Sequence, residues 1–462
     1  MRAATDRPNI VLINCDDLGY GDLGCYGSTV HRTPALDGLA AEGLRLTDFY
    51  MASPVCSPSR GAMMTGCYPS RIGFDSFEGR GVLFPGQGVG LSPSEITIAR
   101  LLKGRLYATC HIGKWHCGDQ REFLPTRHGF DSYYGLPFSN DMGMQAGWPP
   151  ERQWPPLPLL RDEEVIQAQP DQANLIERYT EQAVRFLRDR AGGPFFLYLA
   201  HMQVHLPLYA PERFLRQSRN GRFGACVEAV DWSTAVILRE LHDLGLERNT
   251  IVIFTSDNGG RCKEGGSNAP LRGTKATTWE GGQRVACIVR WTGQTPVGGT
   301  LSDIVASIDL LPTLARWAGT REPQDRIIDG LDLGDYLLAR RKGSPRDTFF
   351  YYRNERLEAV RQGRWKLFAA HGLGREETPG GDLYDLASDI GETTDRAADH
   401  PDVVAELSRL LDECRADLGD SLTGVQGRNC RPIGRVANPK PLTARDGTYP
   451  YIIAEYDLPD RG

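Results

Sequence analysis

Asn9-Ile10-Val11-Leu12-Ile13-Asn14-Cys15-Asp16-Asp17 decides how this chain folds. Four aliphatic residues in a row leave no polar face, so the run reads as a strand buried on both sides, as inside a parallel sheet. It stops on two adjacent carboxylates. Two further runs have the same form. Pro194 to Ala200 ends at His201-Met202-Gln203-Val204-His205, and Thr250 to Ser256 ends at Asp257-Asn258-Gly259-Gly260. Helical repeats lie between them: Ile176, Tyr179, Ala183 and Leu187, then Val230, Thr234, Ile237, Leu241 and Leu244, with Gly245 as the stop. Strand-helix alternation predicts an α/β sheet with helices on both faces. Ligands of such sheets sit beyond the carboxyl ends of the strands, where all three polar clusters fall.

The pattern changes after residue 343. Phe349 to Tyr352, Leu357 to Val360 and Trp365 to Phe368 are short apolar runs separated by turns at Arg353-Asn354 and Gln362-Gly363. They predict an antiparallel sheet. A helix follows, with Pro401 in its first turn and Val404, Leu407, Leu411 and Cys414 on one face. The chain therefore divides into a main unit over 1–343 and a smaller α+β unit over 344–462. Residues 136–170, including Trp148-Pro149-Pro150, carry many Pro and Trp and predict an irregular, lid-like rim.

Bulk properties narrow the function classes. At 462 residues the chain can bury a large core. A net charge of −6 argues against nucleic acid or an anionic membrane as the main partner. No apolar run approaches the ~18 residues of a membrane span. Met1 to Arg7 lacks the apolar segment of a secretory signal, so the expected location is the cytoplasm, or the periplasm or exterior if a leader has been removed. Eleven cysteines without CxxC spacing predict reduced, mostly buried thiols.

The chemistry gathers in short motifs. Cys56-Ser57-Pro58-Ser59-Arg60 runs from a small polar turn into a helix, with Ser57 as the expected cap. Cys56 then sits at the positive end of a helix with Arg60 one turn on, a setting for a nucleophile facing a tetrahedral anion. Asp16, Asp17, Asp257 and Asn258 supply three carboxylates and one amide oxygen from two strand ends. Each pair alone reads as a turn or a cap. Brought together, they repel unless a cation joins them, and an all-oxygen set selects Ca²⁺ or Mg²⁺ over zinc. Gly113-Lys114-Trp115-His116 projects a Lys and a His to one side of an extended segment. Leu271-Arg272-Gly273-Thr274-Lys275 places another Lys in a glycine-bearing turn. The choice is informative, because only seven of the 53 basic residues are Lys.

In this order the motifs resemble those of the type I sulfatases, in the alkaline-phosphatase-like superfamily, over almost the whole chain. Gly81-Val82-Leu83-Phe84-Pro85-Gly86 and Gly135 to Asp141 look like the arylsulfatase A and N-acetylgalactosamine-6-sulfatase branch, and Asp382-Leu383-Tyr384-Asp385-Leu386 through Glu392 looks like the family's end-domain signature. The resemblance implies a large, mixed, mostly parallel sheet sandwiched by helices. It implies a hydrolase of aryl or carbohydrate sulfates. Cys56 would be converted by a formylglycine-generating enzyme to Cα-formylglycine, whose hydrate offers one hydroxyl as nucleophile and a second whose deprotonation expels sulfate. Asp16, Asp17, Asp257 and Asn258, with the matured Cys56, would hold calcium or magnesium. Arg60, Lys114 and Lys275 would bind sulfate oxygens. His205, with Lys275, would protonate the leaving alcohol, and His116 would act as base in the elimination. His201 competes with His205 for the acid role. Cys67, Cys117 and Thr274 depart from the family pattern. Two alternatives remain at this level: a phosphonate or phosphate ester hydrolase of the same superfamily, and a non-catalytic binder of sulfated glycans.

Overall fold

A computed structural model describes residues 7–145, 154–371 and 378–444. Trp148-Pro149-Pro150 of the expected rim lies outside the described residues. The three apolar runs form adjacent strands, Asn9–Cys15, Phe195–Ala200 and Thr250–Ser256. They are central in an 11-stranded sheet. Asn9–Cys15 pairs in parallel with the other two, and Ala108–Gly113 and Ser132–Gly135 continue the parallel set. Arg284–Trp291 is antiparallel to Thr250–Ser256 and carries the sheet on to Leu44–Tyr50.

Alternation along the central strands explains why both faces are covered. Val11, Ile13, Leu197, Leu199, Val252 and Phe254 meet the helices Pro34–Glu42, Leu175–Arg190 and Gly221–Asp243. Ile10, Leu12, Phe196, Tyr198, Ile251 and Ile253 point the other way, towards Cys56–Thr65 and Leu310–Trp317. Each strand thus buries side chains on both faces, which is why no polar alternation marked it.

The expected rim is more ordered than its composition suggests. Pro158–Arg161 and Glu164–Ala168 form an antiparallel hairpin that extends the main sheet from Ser132–Gly135. Prolines mask strands at sheet margins, because such strands tolerate a missing N–H there.

A second sheet is built from Thr348–Arg353, Arg356–Gln362, Trp365–Phe368 and Leu383–Asp385, all antiparallel. The helix Pro401–Leu418 covers it through Leu407, Leu411, Cys414 and Leu418. This layer joins the main sheet through a shared core with Tyr50 and Ala62, and through a buried ionic seam. Lys366 Nζ lies 3.0 Å from Glu280 Oε1 and 2.7 Å from Glu392 Oε1, with all three side chains fully buried. Arg284 bridges Glu280 and Asp48, and Arg361 reaches Asp48 at 2.8 Å. The seam bears directly on the Lys275 turn. Lys366 donates to Thr278 O, Glu392 Oε2 accepts from Glu280 N, and Arg272 donates to Glu392 O. No helix among the described residues is long and apolar enough to cross a membrane. All eleven cysteines are free, and eight are buried.

Candidate active site

Strand register brings the acids together. Cys15 pairs with Ser256, so the next residues on each strand, Asp16 and Asp257, leave the sheet side by side, followed by Asp17 and Asn258. Asp17 N donates to Asp257 Oδ1 at 3.2 Å, and Asn258 Nδ2 donates to Asp17 Oδ1 at 2.7 Å. Asp17 turns through a left-handed backbone conformation, φ 60°, which non-glycine residues adopt at a cost. All four side chains are buried.

Cys56 begins its helix. Val55 takes the cap position, so Ser57 is not the cap; its Oγ instead accepts from Leu83 N at 3.1 Å and ties the 80s segment to the helix. Cys56 Sγ is 3.4 Å from Asp16 Oδ1 and 3.3 Å from Lys275 Nζ. Burial, then the Asp16 charge, pushes its thiol above the ordinary range, so the unmodified side chain is not a thiolate nucleophile.

Three cations face the acids. Arg60 Nε donates to Asp257 Oδ2 at 2.8 Å and Nη1 to Lys114 O at 2.8 Å. Its Nη2 is buried with no hydrogen-bond partner, 3.6 Å from Asp16 Oδ2. Lys114 follows Gly113, where a Cβ would stand 1.8 Å from Ala200 O; only glycine admits this approach. Its Nζ lies 2.5 Å from Asp16 Oδ2 and 3.1 Å from Ser139 Oγ. Lys275 Nζ is 2.6 Å from Asp17 Oδ1, and Ala276 N is anchored on Pro54 O. Burial alone would raise the Asp16 carboxyl, but Lys114, His205, Arg60 and Lys275 hold it well below the usual range. For Asp257, burial and the facing Asp16 dominate and push it up to about 6.

The histidines separate. His205 Nε2 lies 3.7 Å from Asp17 Oδ2, while Nδ1 meets Leu206 O at 2.5 Å and Ser139 Oγ at 3.4 Å. Burial, then Lys275, lowers its pKa. His201 is fully buried, with both ring nitrogens unpartnered, and burial alone takes it down to about 3. His205, unlike His201, approaches Asp17 and lines the pocket. His116 Nε2 meets Leu83 O at 3.0 Å; burial, then Lys114, lowers it well below its ordinary value. The departing positions are structural. Thr274 Oγ1 donates to Gly260 O, Cys117 sits in the apolar core, and Cys67 Sγ accepts from Arg431 Nη2.

The oxygen cluster fits a hard cation. Asp17 Oδ2 and Asn258 Oδ1 are buried without a hydrogen-bond partner, as expected of atoms meant for a metal. Ligand atoms of Asp16, Asp17, Cys56 and His205 also lie within 4.8 Å of one another. His205 thus stands closer to the metal cluster than its motif suggested. Above the cluster opens a pocket of about 580 Å³, lined by Cys56, His116, Ser139, His205 and Lys275 at its base. Ser139, which links Lys114 to His205, was not singled out from the sequence, although it lies in the Gly135 to Asp141 stretch.

The chain is similar to known proteins in sequence and in fold. A family model described as Sulfatase matches residues 8–320. N-acetylgalactosamine-6-sulfatase of Rattus norvegicus is 40% identical over 377 residues, covering 79% of this chain and 71% of that protein. Arylsulfatase A of Homo sapiens is 38% identical over 451 residues, covering 88% of each. The crystal structure of Ps i-CgsB in complex with k-i-k-neocarrahexaose superposes with a TM-score of 0.78 at 28% identity, covering 98% of each chain.

Proposed function

The chain belongs to the sulfatase family and is a sulfuric ester hydrolase of the alkaline-phosphatase-like fold, and we propose that Cys56, matured to Cα-formylglycine, is its nucleophile beside a calcium ion held by Asp16, Asp17, Asp257 and Asn258. The observation that carries this reading is the placement of Cys56 Sγ between Asp16 and Lys275, at a helix start, beside two orphaned metal-facing oxygens. In hydrated form the matured side chain offers a geminal diol, one hydroxyl to attack sulfur and one to release sulfate when deprotonated. A bound divalent cation supplies Lewis-acid polarisation of a sulfate oxygen.

The geometry supports the remaining roles. Arg60 Nη2, Lys114 Nζ and Lys275 Nζ are the donors that meet the sulfate oxygens. The three cations balance Asp16, Asp17 and Asp257, so a divalent ion leaves the site positive for a sulfate ester. Leu206 O can only accept, so Nδ1 of His205 carries a proton and Nε2 faces the site bare in the neutral ring; it takes up the proton released by the attacking hydroxyl and passes it to the leaving alcohol. Likewise Leu83 O fixes the proton of His116 on Nε2. That leaves Nδ1, unpartnered and neutral, as the base for the elimination. Ser139 orients both Lys114 and His205. The substrate is an aryl or carbohydrate sulfate, and the partner in maturation is a formylglycine-generating enzyme.

The test is one preparation made with that maturing enzyme and read two ways. Mass spectrometry of the Cys56 peptide should show the aldehyde in place of the thiol, and sulfate release from 4-nitrophenyl sulfate should scale with its occupancy. Turnover by protein carrying only unmodified Cys56 would refute the nucleophile. A dominant rate on 4-nitrophenyl phosphate would refute the substrate class.

A further inference from the structure

The upper wall of the pocket carries groups that sulfate ester cleavage leaves unused. Arginines 80, 261 and 353 ring it. Two of them are neutralised. Arg261 Nη2 lies 3.1 Å from Glu264 Oε1, and Arg353 meets Glu358 Oε1 through Nε at 2.9 Å and Nη2 at 2.5 Å. Arg80 has no carboxylate partner among the described residues. Its guanidinium carbon instead rests 4.2 Å from the centroid of the Phe84 ring, which packs on Trp154 at 5.6 Å. A guanidinium laid on a ring keeps its N–H edge in plane and free to donate.

Asp141 is the counterpart. It lines the same pocket two residues after Ser139, and its Oδ1 is buried with no hydrogen-bond partner. A carboxylate oxygen left in that state is costly, and its place in the pocket wall lets a ligand donor relieve it. The tip of the Thr348–Gln362 hairpin closes the wall from the second sheet. Asn354 lines the pocket and packs on Gly81, where an added Cβ would stand 2.7 Å from the Asn354 Oδ1. An acceptor and an in-plane donor therefore line the pocket above the reacting groups. An apolar aryl or steryl group would leave Asp141 Oδ1 without a hydrogen-bond donor, although the Arg261 charge acts on the carboxylate. A sugar would satisfy it: its hydroxyls donate to Asp141 and accept from Arg80.

We propose that Asp141 and Arg80 are specificity-determining residues that hold the hydroxyls of a sugar leaving group, making this chain a carbohydrate sulfatase; this rests on the sulfatase reading above. The test measures kcat/KM by sulfate release for 4-nitrophenyl sulfate and for a panel of galactose, glucose, N-acetylgalactosamine and N-acetylglucosamine monosulfates. Fully matured wild type, Asp141→Ala, Asp141→Asn and Arg80→Ala are compared. The ratio of the best sugar sulfate to 4-nitrophenyl sulfate should fall about tenfold or more in Asp141→Ala, recover in part in Asp141→Asn, which keeps an acceptor, and fall in Arg80→Ala. An unchanged ratio in Asp141→Ala, or aryl turnover with no sugar sulfate accepted, overturns this proposal and leaves the sulfatase site standing. Absence of sulfate release from every ester by matured wild type overturns the parent reading, and this one with it.

Discussion

Lys366→Met removes the single ammonium that separates Glu280 from Glu392 in the buried seam. Glu280 retains Arg284, Tyr50 and Tyr351. Glu392 retains only the Glu280 N–H on Oε2, and its Oε1 loses its cation. Breaking a buried pair by deleting one partner costs about 3–5 kcal/mol. At roughly 2 cal/mol/K per residue, a chain of 462 residues has an unfolding entropy near 1 kcal/mol/K. The thermal midpoint should therefore drop by about 3–5 °C. The drop should depend on pH, with a definite sign. Burial is the main reason that Glu392 is already pushed up to about 7, against an ordinary 4.5, with Lys366 opposing it. A carboxyl raised in the folded state stabilises at low pH and loses that contribution as pH rises through its folded value. Without Lys366 that value moves higher still. Variant and wild type both hold the proton at pH 6, and the gap opens above about pH 7. Differential scanning fluorimetry at pH 6 and pH 9 reads it directly. A gap that is constant, or that narrows with rising pH, refutes the reasoning. The double variant Lys366→Met with Glu392→Gln should flatten the pH dependence, because the carboxyl that titrates in this window is gone.

Other outcomes follow from the site. His205→Ala should lose ~10²–10⁴-fold in kcat/KM on esters with poor leaving groups, and much less on 4-nitrophenyl sulfate. Equal losses across a leaving-group series would count against Nε2 as the proton donor. Asp17→Asn should weaken calcium binding at least about tenfold in titration calorimetry, because one of three anionic ligands is lost. Calcium affinity equal to wild type would remove Asp17 from the ligand set.

The parts of this molecule legible in the sequence share one physical property: they are local. Asn9–Cys15, Phe195–Ala200 and Thr250–Ser256 announce themselves because burial on both faces demands unbroken apolar runs. The acids at their ends come together because neighbouring parallel strands in register deliver Asp16 and Asp257 to one place. What escaped reading depends on distant segments. Arg80, Asp141 and Asn354 meet only because a hairpin of the second sheet reaches across the 80s segment. His201 and His205 look alike along the chain, and only the tertiary charge pattern separates them. The hairpin Pro158–Ala168 hid behind its prolines, and the cap of the Cys56 helix lies two residues before Ser57, whose hydroxyl is taken by Leu83, remote in sequence.

Cys56 is 1% exposed, in a helix whose every residue is buried. The maturing enzyme proposed above could not reach this thiol once the sheet has closed over the helix. The proposed conversion would then belong to the nascent, still-extended polypeptide. At that moment ten other thiols would be equally open, so the choice among them would rest on the immediate neighbours of Cys56. On the proposed reading the same few residues would serve twice, first as an address on an unfolded strand and later as the wall of the finished catalyst.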